Sequence, residues 1–300
     1  MARQYTKPYK KHQVLINLMK KRGLTISNET NAIDTISYIG YYRMSGYAHP
    51  FLKTPKTSHI FHNGVSFEDI INLYQFDKNL RILILNQIEK IEIGIRAVLV
   101  SEGTEYYRNP YWMTQRSSYR AQIPNGFRNM VSKIRNEFDR SNEDFAKHFR
   151  NQYLNSFPPA WILSETLTFG SITFLYSNLK PGAKLNISKK FGLMIEPFES
   201  WIGILHLTRN ICCHHSRLWN RWNSMNPSIP INNAPSWIAN INNPRSTYFN
   251  LCVIKHFVDI ISPNNDMADN IKKLLTDFPI VYPQSMGFPA NWQEEAIWKS

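Results

Sequence analysis

Between residues 66 and 100 apolar side chains return every three or four positions, at Phe76, Leu80, Ile84, Ile88, Ile91 and Ile95. That spacing marks one buried face of an α-helix. Ser66 with Asp69 just ahead of the stripe reads as a capping box, and Glu68 and Asp69 favour the positive end of the helix dipole. The stripe predicts a helix of about 35 residues, or two nearly collinear ones, long enough to act as the spine of a bundle.

Shorter helices are expected before it. Pro8 suits the first turn of a helix that turns Val14, Leu15, Leu18 and Met19 inward and stops at Gly23, after the basic turn Lys20, Lys21 and Arg22. A second helix should start at Ser27 or Asn28 and end near Tyr38, ahead of the aromatic stretch YIGYYRMSGYAHPF with its Gly40 and Gly46. Downstream, the pattern predicts helices at about 127–140, 142–154, 160–178, 184–193 and 197–220. Pro158, Pro159, Pro181, Gly182 and Pro197 mark the breaks. Residues 223–244 are dense in Asn, Pro and Ser and read as a linker or extended wrap. A helical pair at about 245–262 and 265–277 follows, then a proline-interrupted tail rich in aromatics. No alternating strand series and no internal repeat appear. The expectation is an all-α fold with an N-terminal helical basic and aromatic module (1–60), a helical domain (61–222) and a C-terminal helical extension (223–300).

Composition narrows the class. With 43% hydrophobic and 19% charged residues over 300 positions, the chain is globular and large enough for a sizeable core. Its net charge of +13 draws polyanions and puts nucleic acid forward as a partner. No apolar run approaches the ~20 residues that span a bilayer, and no secretory signal is visible, so no membrane partner is expected. Cys212, Cys213 and Cys252 are too few and too oddly placed for a disulfide framework; a reducing cytoplasm suits them.

The densest chemistry lies in RNICCHHSRLWNR, residues 209–221. Three readings compete. A metal site would have Cys212 and His215 on one face, with Cys252 and His256 as the second pair, but it lacks the usual CxxC spacing. A plain helix C-terminus explains Arg217 and Arg221, whose charge suits the negative dipole end. It explains Arg209 less well, farther back beside Trp201, Ile204 and Leu205. The third reading is phosphodiester chemistry, in which Arg209 forks onto phosphate oxygens, His214 moves protons, and Asn210 orients a phosphate or an imidazole. RNA carries its own 2′-hydroxyl nucleophile, so neither metal nor cofactor is required. Arg209 and His214, five apart, diverge by roughly 140° on a regular helix and would converge most simply where two copies meet.

Arg209-Asn210-x-x-x-His214 resembles the Arg-x(4–6)-His motif of HEPN-type ribonucleases. The longer string LTRNICCHHSRLWNR, preceded by ESWIGILH, is similar to the signature of the Abi-like (AbiD/AbiF) bacterial abortive-infection family. KRGLTISNETNAIDTISYIGYYRMSGYAHPF, YQFDKNLRILILNQIEKIEIGIRAVL and FPPAWILSETLTFGSITFLYSNL agree in the same order, and the resemblance covers residues from about 8 to 222. It implies an antiphage toxin with a HEPN-like helical bundle and a metal-independent endoribonuclease site composed by a homodimer. A small structured RNA would hold it in check. Arg209 and His214 take the motif positions and Asn210 the polar one; Cys213 stands where a small residue such as alanine is usual.

Other residues carry paired readings. Tyr41, Tyr42, Arg43 and Tyr47 would stack on RNA bases or fill the junction beside the bundle. Lys10 and Lys11, in the cluster of residues 7–12, and the run at 20–22 would track phosphates or form a solvated face. Glu92 with Arg96 makes an ordinary i,i+4 pair, and the sequence does not choose which polar residue of the long helix, Glu89 and Glu92 included, would orient the motif. His215 and Arg217 are placed as supports around His214. Against the toxin stands a non-catalytic RNA-binding or scaffold protein in which the motif clamps RNA or holds the dimer.

Overall fold

The long apolar stripe builds one continuous helix. A computed structural model describes residues 4–6, 8–231 and 234–299. Twelve α-helices and no strand occur among them, so the fold is all-α. The chain divides into two units, residues 1–80 with 273–282 and residues 81–272 with 283–300.

In the first unit, α1 (His12–Lys21) starts four residues beyond Pro8. Residues 8–11 are exposed and bury nothing, and a short helix gains its stability from packing rather than propensity. Ile16 and Met19 form its buried side, whereas Val14, expected inward, is 47% exposed. Gly23 takes φ +92° after the basic turn, as the sequence suggests. Asn28 caps α2 (Glu29–Ile39), its side chain accepting from the Asn31 N–H at 2.9 Å. Gly40, at φ +89°, turns the chain into α3 (Tyr41–Ala48).

Ser66 and Asp69 close the expected capping box: the Asp69 N–H donates to Ser66 Oγ at 3.1 Å and the Ser66 N–H to Asp69 Oδ2 at 2.8 Å. From there α4 (Phe67–Tyr107) runs 41 residues, past the expected end near Val100. Every residue of the predicted stripe is buried, and Leu99 extends it.

The second unit holds the rest of α4 with α5 (Gly126–Arg140), α6 (Asp144–Gln152), α7 (Ala160–Leu163), α8 (Phe169–Asn178), α9 (Pro181–Lys189) and α10 (Ile195–Cys213). The expected helix over 160–178 is broken. Glu137 accepts from the Thr168 N–H at 2.9 Å and the Ser171 hydroxyl at 2.6 Å, and the Thr168 side chain caps α8, so the helix restarts there. Pro181 opens α9 instead of only ending what precedes it, because its missing N–H costs nothing at a first position.

The described residues of 223–244 are irregular apart from a 3-10 turn at Ser236–Asn240. Most of the C-terminal stretch lies in the second unit and residues 273–282 in the first. In α11 (Thr247–Ile261) eleven residues are buried, and the helix packs on α10. α12 (Met267–Asp277) follows, and the aromatic tail then returns to α11. There Tyr248 donates to Glu295 at 2.8 Å and receives the Trp298 indole N–H at 3.1 Å.

Candidate functional site

α10 is fixed on its buried side by Phe198, Trp201, Ile202, Leu205, Thr208, Ile211 and Cys212. Its packing against α8, α9 and α11 leaves Arg209 and Cys213, one turn apart, on another face. These two line an open groove of about 590 Å³ whose opposite wall is α4, with Ile82, Asn86, Glu89, Glu92, Ile93 and Arg96.

Glu92 is the α4 residue that reaches the motif. Its Oε2 lies 3.9 Å from Arg209 Nε, while Oε1 accepts from Arg96 Nη2 at 3.2 Å. Arg96 also donates to the Leu167 carbonyl at 3.1 Å, so the carboxylate is fixed from behind and meets Arg209 only loosely. The Arg209 side chain is 40% exposed, and its fork remains available to phosphate oxygens in the groove.

The helix is shorter than the sequence suggests. It ends at Cys213, not near residue 220, with His214 as the C-cap. The His215 N–H donates to the Cys212 carbonyl at 3.1 Å and the Ser216 N–H to the Ile211 carbonyl at 3.0 Å, a Schellman turn with His215 at φ +54°. Glycine is usual at that position, and its absence hid the helix end. His214 donates its backbone N–H to the Asn210 carbonyl at 3.0 Å and exposes its side chain. One residue past Cys213, it departs by about 100° from the groove face.

Because His215 holds a left-handed conformation, His215→Gly should preserve the turn, whereas His215→Val should lower stability by about 1–2 kcal/mol. Urea unfolding of the two variants reads this directly, and equal midpoints would remove His215 as the residue that reverses the chain.

Asn210 orients an imidazole, but a different one. Its Nδ2 lies 3.1 Å from His206 Nε2, one turn back on α10. Burial, and after it the nearby Arg209 and Lys133, hold the His206 pKa below its usual value, and the Asn210 amide N–H points to Nε2. His206 also rests on α8, edge-on to Phe169 at 6.1 Å, where a side chain at Gly170 would collide with it. Its i,i+4 relation to Asn210 was the signal available in the sequence.

The remaining candidates are scattered. Arg217 is exposed, with its guanidinium 5.9 Å from the Trp219 ring centroid. Cys212 is buried, while Cys252 and His256 lie within α11, where burial raises the Cys252 thiol and His256 meets the Phe191 carbonyl at 2.9 Å. No group of three or more His, Cys, Asp or Glu among the described residues is placed to share a metal ion.

In the first unit Tyr47 is only 2% exposed; it donates to Asp77 Oδ2 at 2.6 Å and meets Tyr74 edge-on at 5.3 Å. It serves the core. Tyr41 is half-buried, whereas Tyr42, Arg43, Lys10 and Lys11 are exposed. Lys7 lies outside the described residues. In the second basic run Lys20 is committed to Glu29 at 2.6 Å, which lowers that carboxyl's pKa. No described helix is long and apolar enough to cross a membrane.

No curated protein and no solved structure matches the chain. The Abi-like protein family matches residues 34–220, more than half of the sequence and the whole of α10 with Arg209, Asn210 and His214, and the chain belongs to that family.

Proposed function

We propose that this Abi-like protein acts in abortive infection as a cytoplasmic, metal-independent endoribonuclease toxin of the HEPN type, with a site assembled by two copies and restrained by a small structured RNA. The observation that carries the reading is Arg209, loosely held by Glu92 in an open groove, with an exposed histidine at the end of the same helix. Arg209 has the charge and planar fork to bind a scissile phosphate. His214 has the chemistry to move a proton near neutral pH.

In the proposed reaction one His214 takes the proton of a ribose 2′-hydroxyl. The 2′-oxygen bonds to phosphorus and the bond to the 5′-oxygen breaks. The His214 of the second copy protonates that leaving oxygen. Arg209 stabilises the charge gathered on the equatorial oxygens. The products carry a 2′,3′-cyclic phosphate and a 5′-hydroxyl. Asn210 supports the site through its carbonyl under His214 and its amide on His206.

Mixing wild type with an inactive variant tests the two-copy arrangement. With both copies' Arg209 and His214 in one shared site, every wild-type copy that pairs with a His214→Ala copy loses its cleavage. After exchange at equal concentration the wild type should keep about half of its cleavage, because random pairing leaves half of its copies beside another wild-type copy. A wild type that keeps its full cleavage, despite proven exchange, would defeat the arrangement. The groove also suits a clamp that only holds RNA, because Arg209 already meets a carboxylate there. In that case His214→Ala would weaken RNA binding or dimerisation, with no cleavage to lose.

A further inference from the structure

The corner between α2 and α3 leaves two aromatic rings standing in solvent. Tyr38 and Tyr42 flank the turn at Gly40, and each is 92% exposed. Large rings so fully uncovered gain nothing from the fold, in contrast to Tyr47 five residues further along α3.

Charge is concentrated around them. Residues 1–62 carry ten lysines and arginines against Glu29 and Asp34, a net +8 of the chain's +13. The structure brings part of that charge to the corner. His12 Nδ1 lies 2.9 Å from Ser37 Oγ, which sets the start of α1, and Lys10 and Lys11 before it, beside the end of α2 that bears Tyr38. Arg43 follows Tyr42 and is exposed. Tyr9, 84% exposed, continues the pattern on the segment leading into α1.

Flat uncovered rings interleaved with cations match what a single-stranded polynucleotide offers, stacked bases joined by phosphates at regular intervals. A lipid surface would call for aliphatic or indole anchors on an amphipathic face, and the apolar faces of α1, α2 and α3 are spent inside the unit. We propose that the Tyr38–Tyr42 corner, with Lys10, Lys11 and Arg43, is a docking surface for single-stranded RNA, separate from the α10 groove. The choice of RNA over DNA rests on the ribonuclease reading; the stacking argument does not. Base stacking gives the surface its grip with little sequence choice, and the lysines give it a steep salt dependence.

The test uses the full chain carrying His214→Ala, so that RNA survives the measurement, and a fluorescein-labelled 12-nucleotide single-stranded RNA followed by anisotropy. Adding Tyr38→Ala and Tyr42→Ala should weaken binding about 10-fold or more, since two stacked bases are lost. Tyr38→Phe with Tyr42→Phe should bind as the parent does, because the ring faces remain. Undiminished binding by the alanine pair, or an equal loss in the phenylalanine pair, overturns the proposal. So does preference for DNA of the same sequence, or capture by vesicles of phosphatidylcholine and phosphatidylserine in place of RNA. Both tyrosines are solvent-exposed, and a circular-dichroism spectrum matching the parent confirms that a loss is not unfolding. The two readings fail separately: an alanine pair that binds undiminished leaves cleavage at α10 untouched, and a wild type that binds but never cuts removes the ribonuclease and leaves the docking surface.

Discussion

Arg209→Ala should lower RNA cleavage by about 10²–10³-fold, the usual cost of removing one preorganised group that meets developing charge. Arg209→Lys should recover little of it. Lysine keeps the charge but loses the planar pair of donors, and its point charge would settle on Glu92, already placed 3.9 Å from Arg209 Nε. His214→Ala should cost about 10²–10⁴-fold through loss of proton transfer, while α10 keeps its fold, because the side chain is exposed and the backbone bond to Asn210 remains. EDTA should change nothing. The measurement is sequencing of RNA 5′ and 3′ ends after induction in bacteria, with end chemistry read on the purified products. Wild-type ends bearing 2′,3′-cyclic phosphate and absent from both variants are the expected result. Cleavage abolished by EDTA, or ends shared with Arg209→Ala, would refute the scheme.

The α4 stripe was legible because every signal in it agreed: period, capping box and acidic first turn. The end of α10 was not. Glycine is the stop signal a reader looks for, and His215 makes the same left-handed turn without it, so a pattern of apolar and basic residues seemed to run on to residue 220. The break before α8 was hidden for a related reason. Glu137, some thirty positions away, holds Thr168 and Ser171, and no local propensity announces a long-range acceptor.

The motif itself was legible as a string, and its surroundings were not. Glu89 and Glu92 are both on α4, three positions apart, and only the way α4 faces α10 across the groove sets Glu92 within reach of Arg209. The sequence leaves Asn210 a phosphate or an imidazole to orient, and in the structure its amide lies beside an imidazole. Which imidazole depends on the face α10 turns to α8, and that places His206 there. The aromatic stretch split in the same way. Five positions, about 140° around the helix, separate Tyr42 in water from the buried Tyr47 bonded to Asp77, a difference that composition cannot express.

Trp201→Ala should be among the most damaging substitutions to the fold, lowering stability by about 3–5 kcal/mol. The ring is fully buried on α10, 5.6 Å from Trp237, 6.1 Å from Phe249 and 5.4 Å from His256 between centroids, so its removal opens a cavity where α10, α11 and the irregular segment meet. Its indole N–H also donates to the Ser228 carbonyl at 3.0 Å, the bond that ties the Asn- and Pro-rich stretch to the helix. Ser228 is held twice more, through Ser200 at 2.9 Å and Glu196 at 3.0 Å, so that segment should loosen without detaching. Trp201→Phe keeps part of the packing and loses the hydrogen bond, and should cost less than half as much. Urea unfolding gives the energies, and limited proteolysis gives the location, with new cuts within residues 223–231 expected in Trp201→Ala before any elsewhere. Because α10 carries Arg209 and is capped by His214, cleavage should fall with the folded fraction and recover at lower temperature. A Trp201→Ala protein that unfolds at the wild-type midpoint would mean that α10 is held by something other than this aromatic cluster, and the site's rigidity would need another source.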